Sequence, residues 1–242
     1  MKQQERESRK VRQGFLLAGI TTLVFLLAIV PLTAAQEASE TTGKFRIEAS
    51  FFFGVGFDKI EIGTTTAGDI VSISGGGGVG GAINLGYSFS KKLEADLGAG
   101  FQHGTLSEKV ENAKGSFERI LVLATLKYKI PVRRNGQVKI GGGAGYYGSG
   151  ELDLDASRVA GGAHNIYKYD DAFGFHVTGE YEGFFSARKW SWIIGVKYYN
   201  VRYDVKSCTS SGVSVQENQI PEDGRELDGS GVDFILAIAR YF

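Results

Sequence analysis

Cysteine is almost absent, with Cys208 the single one in 242 residues. No intramolecular disulfide can form, so the chain must be held together by backbone pairing and packing. Proline is scarce too: Pro31, Pro131 and Pro221 are the only three. None falls inside a strand predicted below, so each backbone ladder is expected to run uninterrupted. Net charge is zero, with 27 basic and 27 acidic residues, and this gives no basic surface for a nucleic-acid partner. Three histidines leave little material for metal binding or proton transfer. After residue 30 no apolar run is long enough for a transmembrane helix.

Glycine, by contrast, is abundant at 35 residues. That is roughly twice the ordinary share. It lacks the collagen period and suits a chain of tight turns and close backbone contacts.

The N-terminus carries Lys2, Arg6, Arg9, Lys10 and Arg12, then the apolar run GFLLAGITTLVFLLAIV. Pro31 and the small residues up to Ala35 follow. This is the layout of a secretory signal peptide over residues 1–35, cut near Ala35. A retained signal anchor is the alternative. Residues 1–35 hold five basic and two acidic residues, leaving 22 and 25, a net charge of −3. Residues 36–43 read as a short periplasmic lead.

From residue 44 to 242 the chain alternates. Phe45, Ile47, Ala49, Phe51, Phe53 and Val55 oppose Arg46, Glu48, Ser50, Phe52 and Gly54. Strict period-two patterning predicts two-faced strands over 45–57, 79–89, 93–102, 119–130, 138–147, 173–182, 190–199 and 232–242. Val71 and Ile73 are read as an upward extension of the second. Each is near the ~9–11 residues a tilted strand needs to cross a bilayer. The connections between them alternate long and short, with polar stretches 59–69, 103–116, 148–171 and 202–230 as the long ones. The predicted fold is all-β: an eight-stranded antiparallel up-and-down transmembrane β-barrel, with both termini in the periplasm.

A soluble ligand barrel also has eight strands, but with its apolar face inside. The terminal Phe242, the alternation of long and short connections and the aromatics weigh against it. On the apolar face, Phe45, Tyr87, Phe89, Tyr128, Trp190, Trp192 and Phe242 gather at one end. Phe53, Phe101, Tyr146, Phe173, Tyr198 and Phe234 gather at the other. Two such girdles fit the two lipid–water boundaries.

The enclosed face then carries Arg46, Arg119, Lys127, Lys129, Lys139 and Lys197 against Glu48, Glu94, Asp96, Glu180, Glu182 and Asp233. Six of each sign are expected to form a salt-bridged plug, because enclosed charges are costly unless paired. Leu121, Leu123, Ile193 and Ile235 add an apolar layer. Gly98, Gly100, Gly141, Gly143 and Gly145 are expected to let strands coil tightly, or else to leave a cavity. His176 is expected in the polar network beside Glu180.

The closing strand VDFILAIARYF ends on Phe242, and the hairpin GYSFSKKLEADLGAGF is equally regular. These features resemble the small bacterial outer-membrane barrels of the OmpA-barrel, OmpX and OmpW kind, over nearly the whole chain after the signal. Arg240 stands where that family usually has an aromatic residue. The resemblance implies Phe242 as the signal read by the barrel-assembly machinery, outer-membrane lipid as surroundings, and a role in envelope integrity, adhesion or narrow solute passage. A monomer is expected, with an extracellular ligand for the loops as an option.

Some barrels of this membrane modify lipid A, which requires a nucleophile beside an oriented histidine. No such spacing surrounds His103, His164 or His176, so no catalytic residue, cofactor or metal is expected. Glu151, Asp153 and Asp155 in GELDLDAS give only a faint calcium pattern. Gly75 to Gly78 lacks the Lys-Ser/Thr and helix of a phosphate loop. The stretch 202–230, with Cys208 and Pro221, is acidic and uncommitted.

Overall fold

The computed structural model describes residues 43–64, 70–106, 113–133, 136–157, 162–185, 189–215 and 225–242. The expected signal peptide at 1–35 and, except for Gly43, the expected lead at 36–43 lie outside these residues.

Eight strands close into one antiparallel ring. They are β1 (Phe45–Gly56), β4 (Gly78–Tyr87), β5 (Leu93–Thr105), β6 (Lys114–Arg133), β7 (Gly136–Asp155), β9 (Ala172–Phe184), β10 (Trp190–Asn200) and β14 (Gly231–Tyr241). Each pairs with its neighbour in the chain order just given, and β14 pairs with β1 to seal the ring. Closure matters because an open edge in hydrocarbon would strand backbone N–H and C=O groups. The β4–β5 turn is tight for a local reason: the Ser90 hydroxyl accepts from the Lys92 and Leu93 amides at 3.2 and 2.9 Å.

The two faces fall as the alternation predicts. Phe51, Ile83, Leu97, Leu126, Ile194 and Leu236 are exposed on the outside. Arg46, Glu94, Lys139 and Glu182 are buried inside. Of the thirteen girdle aromatics, Tyr198 alone is only half-exposed, lying 5.8 Å from the Phe57 ring.

Four expectations fail. The long connections are not plain loops. Residues 59–69 include β2 (Ile60–Thr64), and it pairs with β3 (Ile70–Ile73) as a separate hairpin. Val71 and Ile73 therefore belong to that hairpin, with buried side chains, and do not extend β4. β6 and β7 each run 20 residues, well beyond the bilayer-sized core. Their extension continues sideways through β8 (His164–Tyr169) and β11 (Arg202–Ser210), with β12 (Val213–Val215) and β13 (Glu226–Asp228) both on β11. Finally, Pro131 lies inside β6, where β5 pairing has already ended at Tyr128. A missing N–H is tolerated at such an edge position, and the ladder is irregular between Pro131 and Arg133.

Glycine is used for close approach. A methyl group on Gly143 would strike the Ala124 carbonyl oxygen of β6, and one on Gly98 would strike the Asn84 side chain. Gly143→Ala is expected to destabilise the barrel by about 1–3 kcal/mol in urea unfolding of the vesicle-refolded protein. A methyl group on Gly179 would meet nothing within 4 Å, so this position is the control and should accept alanine almost freely.

Candidate functional site

The lumen is the candidate site, and it is filled in layers. Nearest the chain termini, the Lys139 ammonium sits 2.8 Å from both Glu94 and Glu182. Glu182 also accepts from Gln137, Ser191 and Tyr241. Glu94 takes Arg46 at 3.1 Å and the Ser88 hydroxyl at 2.9 Å. Lys129 donates to Ser88 at 2.9 Å.

One layer up, Arg46 reaches Glu48 at 2.8 Å and Asp96 at 2.7 Å. Lys127 bridges Asp96 and Glu180, 2.7 Å from each. Asn84 donates to Glu48. Arg46, Lys127 and Lys139 thus interlock five carboxylates contributed by β1, β5 and β9, with Lys129 held just beside them.

Above this lies a cavity of about 50 Å³, walled by Glu48, Asn84, Thr125, His176, Glu180 and Leu123 among others. At ~10–15 Å³ per water centre it holds a few waters at most. His176 lies in the lumen on the same cavity wall as Glu180, and its hydrogen bond there is with Thr125 at 2.8 Å. Gly98 and Gly100 line this cavity, so the two roles read for the lumen glycines coexist.

The next layer holds Lys197 and Asp233 at 2.9 Å. Arg119 departs from the salt-bridge expectation. It is buried, yet among the described residues no carboxylate pairs with it. Its guanidinium donates to Gln102 at 2.9 Å and to the Gly229 carbonyl at 2.9 Å, and its hydrogen bond to Tyr203 is longer. Tyr147 and Tyr199 present their rings at 5.3 and 4.9 Å. Cation–π contact and neutral acceptors replace the anion. Gln102 then donates to Asp233, so the charge is balanced one residue removed. Lys129, too, is given no carboxylate among the described residues and donates to the Ser88 hydroxyl.

A cap closes the loop end. Phe117, Tyr169 and Tyr203 meet with ring centroids about 6 Å apart, packed with Leu152, Leu227 and Ile73. The Tyr199 hydroxyl donates to the Gly76 carbonyl. Leu121, Leu123 and Ile235 pack against this cluster, while Ile193 joins Ala237 and Ala239 lower down.

The thirteen lumen residues named from sequence are therefore all buried within one barrel. Sequence reading missed their neutral partners Asn84, Ser88, Gln102, Gln137, Ser191 and Tyr241. All six share the lumen phase of their strands, which is the signal that was there to use.

The histidines do not converge. His103 pairs with Glu118 at 3.0 Å and His164 with Asp153 at 2.8 Å, both outside the lumen. Asp153 is thereby occupied, Glu151 faces Lys168 at 3.7 Å and Asp155 accepts from the Ser157 hydroxyl, so the three carboxylates of the faint calcium pattern are spent separately along β7. Among the described residues no group of three His, Cys, Asp or Glu side chains is placed to hold a metal.

Residues 23–216 match the model of the outer membrane protein beta-barrel domain, over more than half of the chain. The chain belongs to this family. As an outer-membrane barrel it also resembles solved structures. With OprG from Pseudomonas aeruginosa it shares 15% identity over 85% of this chain and 98% of OprG, at a TM-score of 0.59. With Neisserial surface protein A it shares 12% identity over 82% of this chain and 97% of that one, at 0.49. The likeness to OprG is one of fold. No curated protein matches this outer-membrane barrel in sequence.

Proposed function

We propose that this barrel is a sealed structural and surface-interaction element of the bacterial outer membrane, not a pore and not an enzyme. The observation that carries this reading is the interlocked layer of Arg46, Glu94, Lys127, Lys139, Glu180 and Glu182, with a cavity of only about 50 Å³ above it. Solute passage would require several fully desolvated ion pairs to separate at once. The short turns and both termini face the periplasm, and the β6–β7–β8–β11 extension stands in the external medium. There its charged outer surface is available to a ligand. Phe242 serves as the assembly signal, lipid surrounds the barrel, and one chain suffices.

Planar-bilayer recording of the refolded protein tests this. No stepwise conductance is expected from protein whose heat-shifted migration proves it folded. Regular unitary steps that scale with protein added would instead make it a narrow conduit.

A further inference from the structure

Outside the lumen, the exposed carboxylate side chains among the described residues gather at one end. At the short-turn end Lys44, Lys91, Lys92, Lys189 and Arg240 are the described charged side chains that reach the surface, and every one is basic. The exposed carboxylates among the described residues, Asp58, Glu118, Asp170, Asp171, Asp204 and Glu226, all lie at the loop end. That end is mixed in sign: Lys59, Lys114, Lys168, Arg202 and Lys206 are exposed there too, with Lys168 facing Glu151 at 3.7 Å and Lys206 facing Asp170 at 3.6 Å. None of the five cations at the short-turn end pairs with a carboxylate among the described residues.

These cations sit at a defined depth. The lower girdle, with exposed Phe45, Tyr87, Tyr128, Trp190 and Phe242, marks the boundary where hydrocarbon gives way to headgroups. Lys92 lies 6.0 Å from the Tyr128 ring centroid. Arg240 lies 5.4 Å from the Trp190 ring and 4.9 Å from the Phe242 ring. Its position is in the lipid-facing phase of β14, where a charge is tolerated only if its head reaches the interface. Stacked on two aromatic faces, the guanidinium is fixed at that level, and among the described residues nothing hydrogen-bonds its N–H fork, which suits a phosphate.

We propose that this rim binds the headgroups of anionic phospholipids, of phosphatidylglycerol chemistry, in the leaflet at the short-turn end. Four lysines supply point charges and Arg240 supplies bidentate recognition. Unpaired cations at the bilayer boundary attract an anionic leaflet, whereas the exposed cations at the opposite end are interspersed with carboxylates. The inference rests on the bilayer seating proposed above, but not on which way the barrel points.

Trp190 and Trp192 are the only tryptophans, and both lie in this girdle. Their fluorescence therefore reports the lipid next to the rim. The full barrel is refolded into symmetric phosphatidylcholine vesicles containing chain-brominated phosphatidylglycerol or, in a matched set, chain-brominated phosphatidylcholine. Quenching should show phosphatidylglycerol preferred at least about fivefold at low ionic strength. Salt at about 0.5 M should bring the ratio close to one. The variant Lys91→Gln/Lys92→Gln/Lys189→Gln/Arg240→Gln should lose the preference while keeping its heat-shifted migration. Lys91→Gln/Lys92→Gln alone, confined to an exposed turn, should lower it at least about twofold. Equal quenching by both lipids in the unaltered protein, or a preference that survives in the variants, overturns the proposal. So does selective loss of the preference in inorganic phosphate at matched ionic strength, which would assign the rim to free phosphate. Absence of quenching by either lipid would sink the bilayer seating itself, a different failure.

Discussion

Lys139→Met is expected to destabilise the barrel by about 3–5 kcal/mol. Lys139 is fully buried between Glu94 and Glu182, which are equally buried. Removing the ammonium leaves two carboxylates enclosed together. Glu94 keeps Arg46 at 3.1 Å, but among the described residues Glu182 keeps only the neutral donors Gln137, Ser191 and Tyr241. The cost is thus mostly that of a stranded charge, not of a lost attraction. That distinction has its own consequence: adding Glu182→Gln to Lys139→Met should recover a large part of the loss. Urea unfolding in phospholipid vesicles measures both. A loss below about 1 kcal/mol for the single variant would mean that water reaches this layer, as it does at surface ion pairs. The lumen would then be wet and the sealed-barrel reading would fail with it.

Why was the barrel legible in the sequence while the sheet above it was not? Inside the bilayer the outward face must be apolar, so Ile120, Val122 and Leu126 of β6 announce themselves. Past the boundary the same outward face meets water. Glu118 is exposed there, and the apolar residue is the inward Phe117. The alternation continues but its chemistry inverts, so a search for greasy outward positions stops at the boundary. A bulge adds to the difficulty. Ile120 pairs with Gly148 but Glu118 pairs with Glu151, so β7 carries an extra residue and its inward phase moves from Tyr147 to Leu152. One-residue slips of this kind swap the two faces. In β11 a second irregularity between Val205 and Ser207 separates buried Tyr203 from buried Cys208 in the same way.

The lumen shows the complementary limit. Phase along each strand places every charge inside, but pairing depends on registers between strands. Lys127 of β6 lies directly across from Glu94 in the ladder, yet its ion pairs are with Asp96 and Glu180. Tilt carries side chains past their backbone neighbours, and no count along one strand reveals it. Arg119 is the sharpest case. A tally of six cations and six anions assigns it an anion, whereas the fold gives it two tyrosine faces and the Gly229 carbonyl.

Ile194→Arg should cost about 2–4 kcal/mol in vesicles, as expected for a cation on the lipid face near mid-bilayer. Ile194 is 46% exposed, in the middle of β10, across from Leu236 and Tyr181. Had this surface faced water, such a substitution would fall within about 0.5 kcal/mol of neutral. Its chain neighbour Ile193 is 1% exposed and points the other way, into the packed lumen beside Ala237 and Ala239. Ile193→Ala should therefore cost about 2–5 kcal/mol through a cavity, whatever solvent surrounds the barrel. The two adjacent positions thus respond to different causes. In detergent micelles with short chains the Ile194→Arg penalty should shrink, because a thin apolar belt lets the guanidinium reach water, while the Ile193→Ala penalty should hold. Equal penalties for Ile194→Arg in thick and thin surroundings would show that its cost comes from packing, and the assignment of that face to lipid would have to be given up.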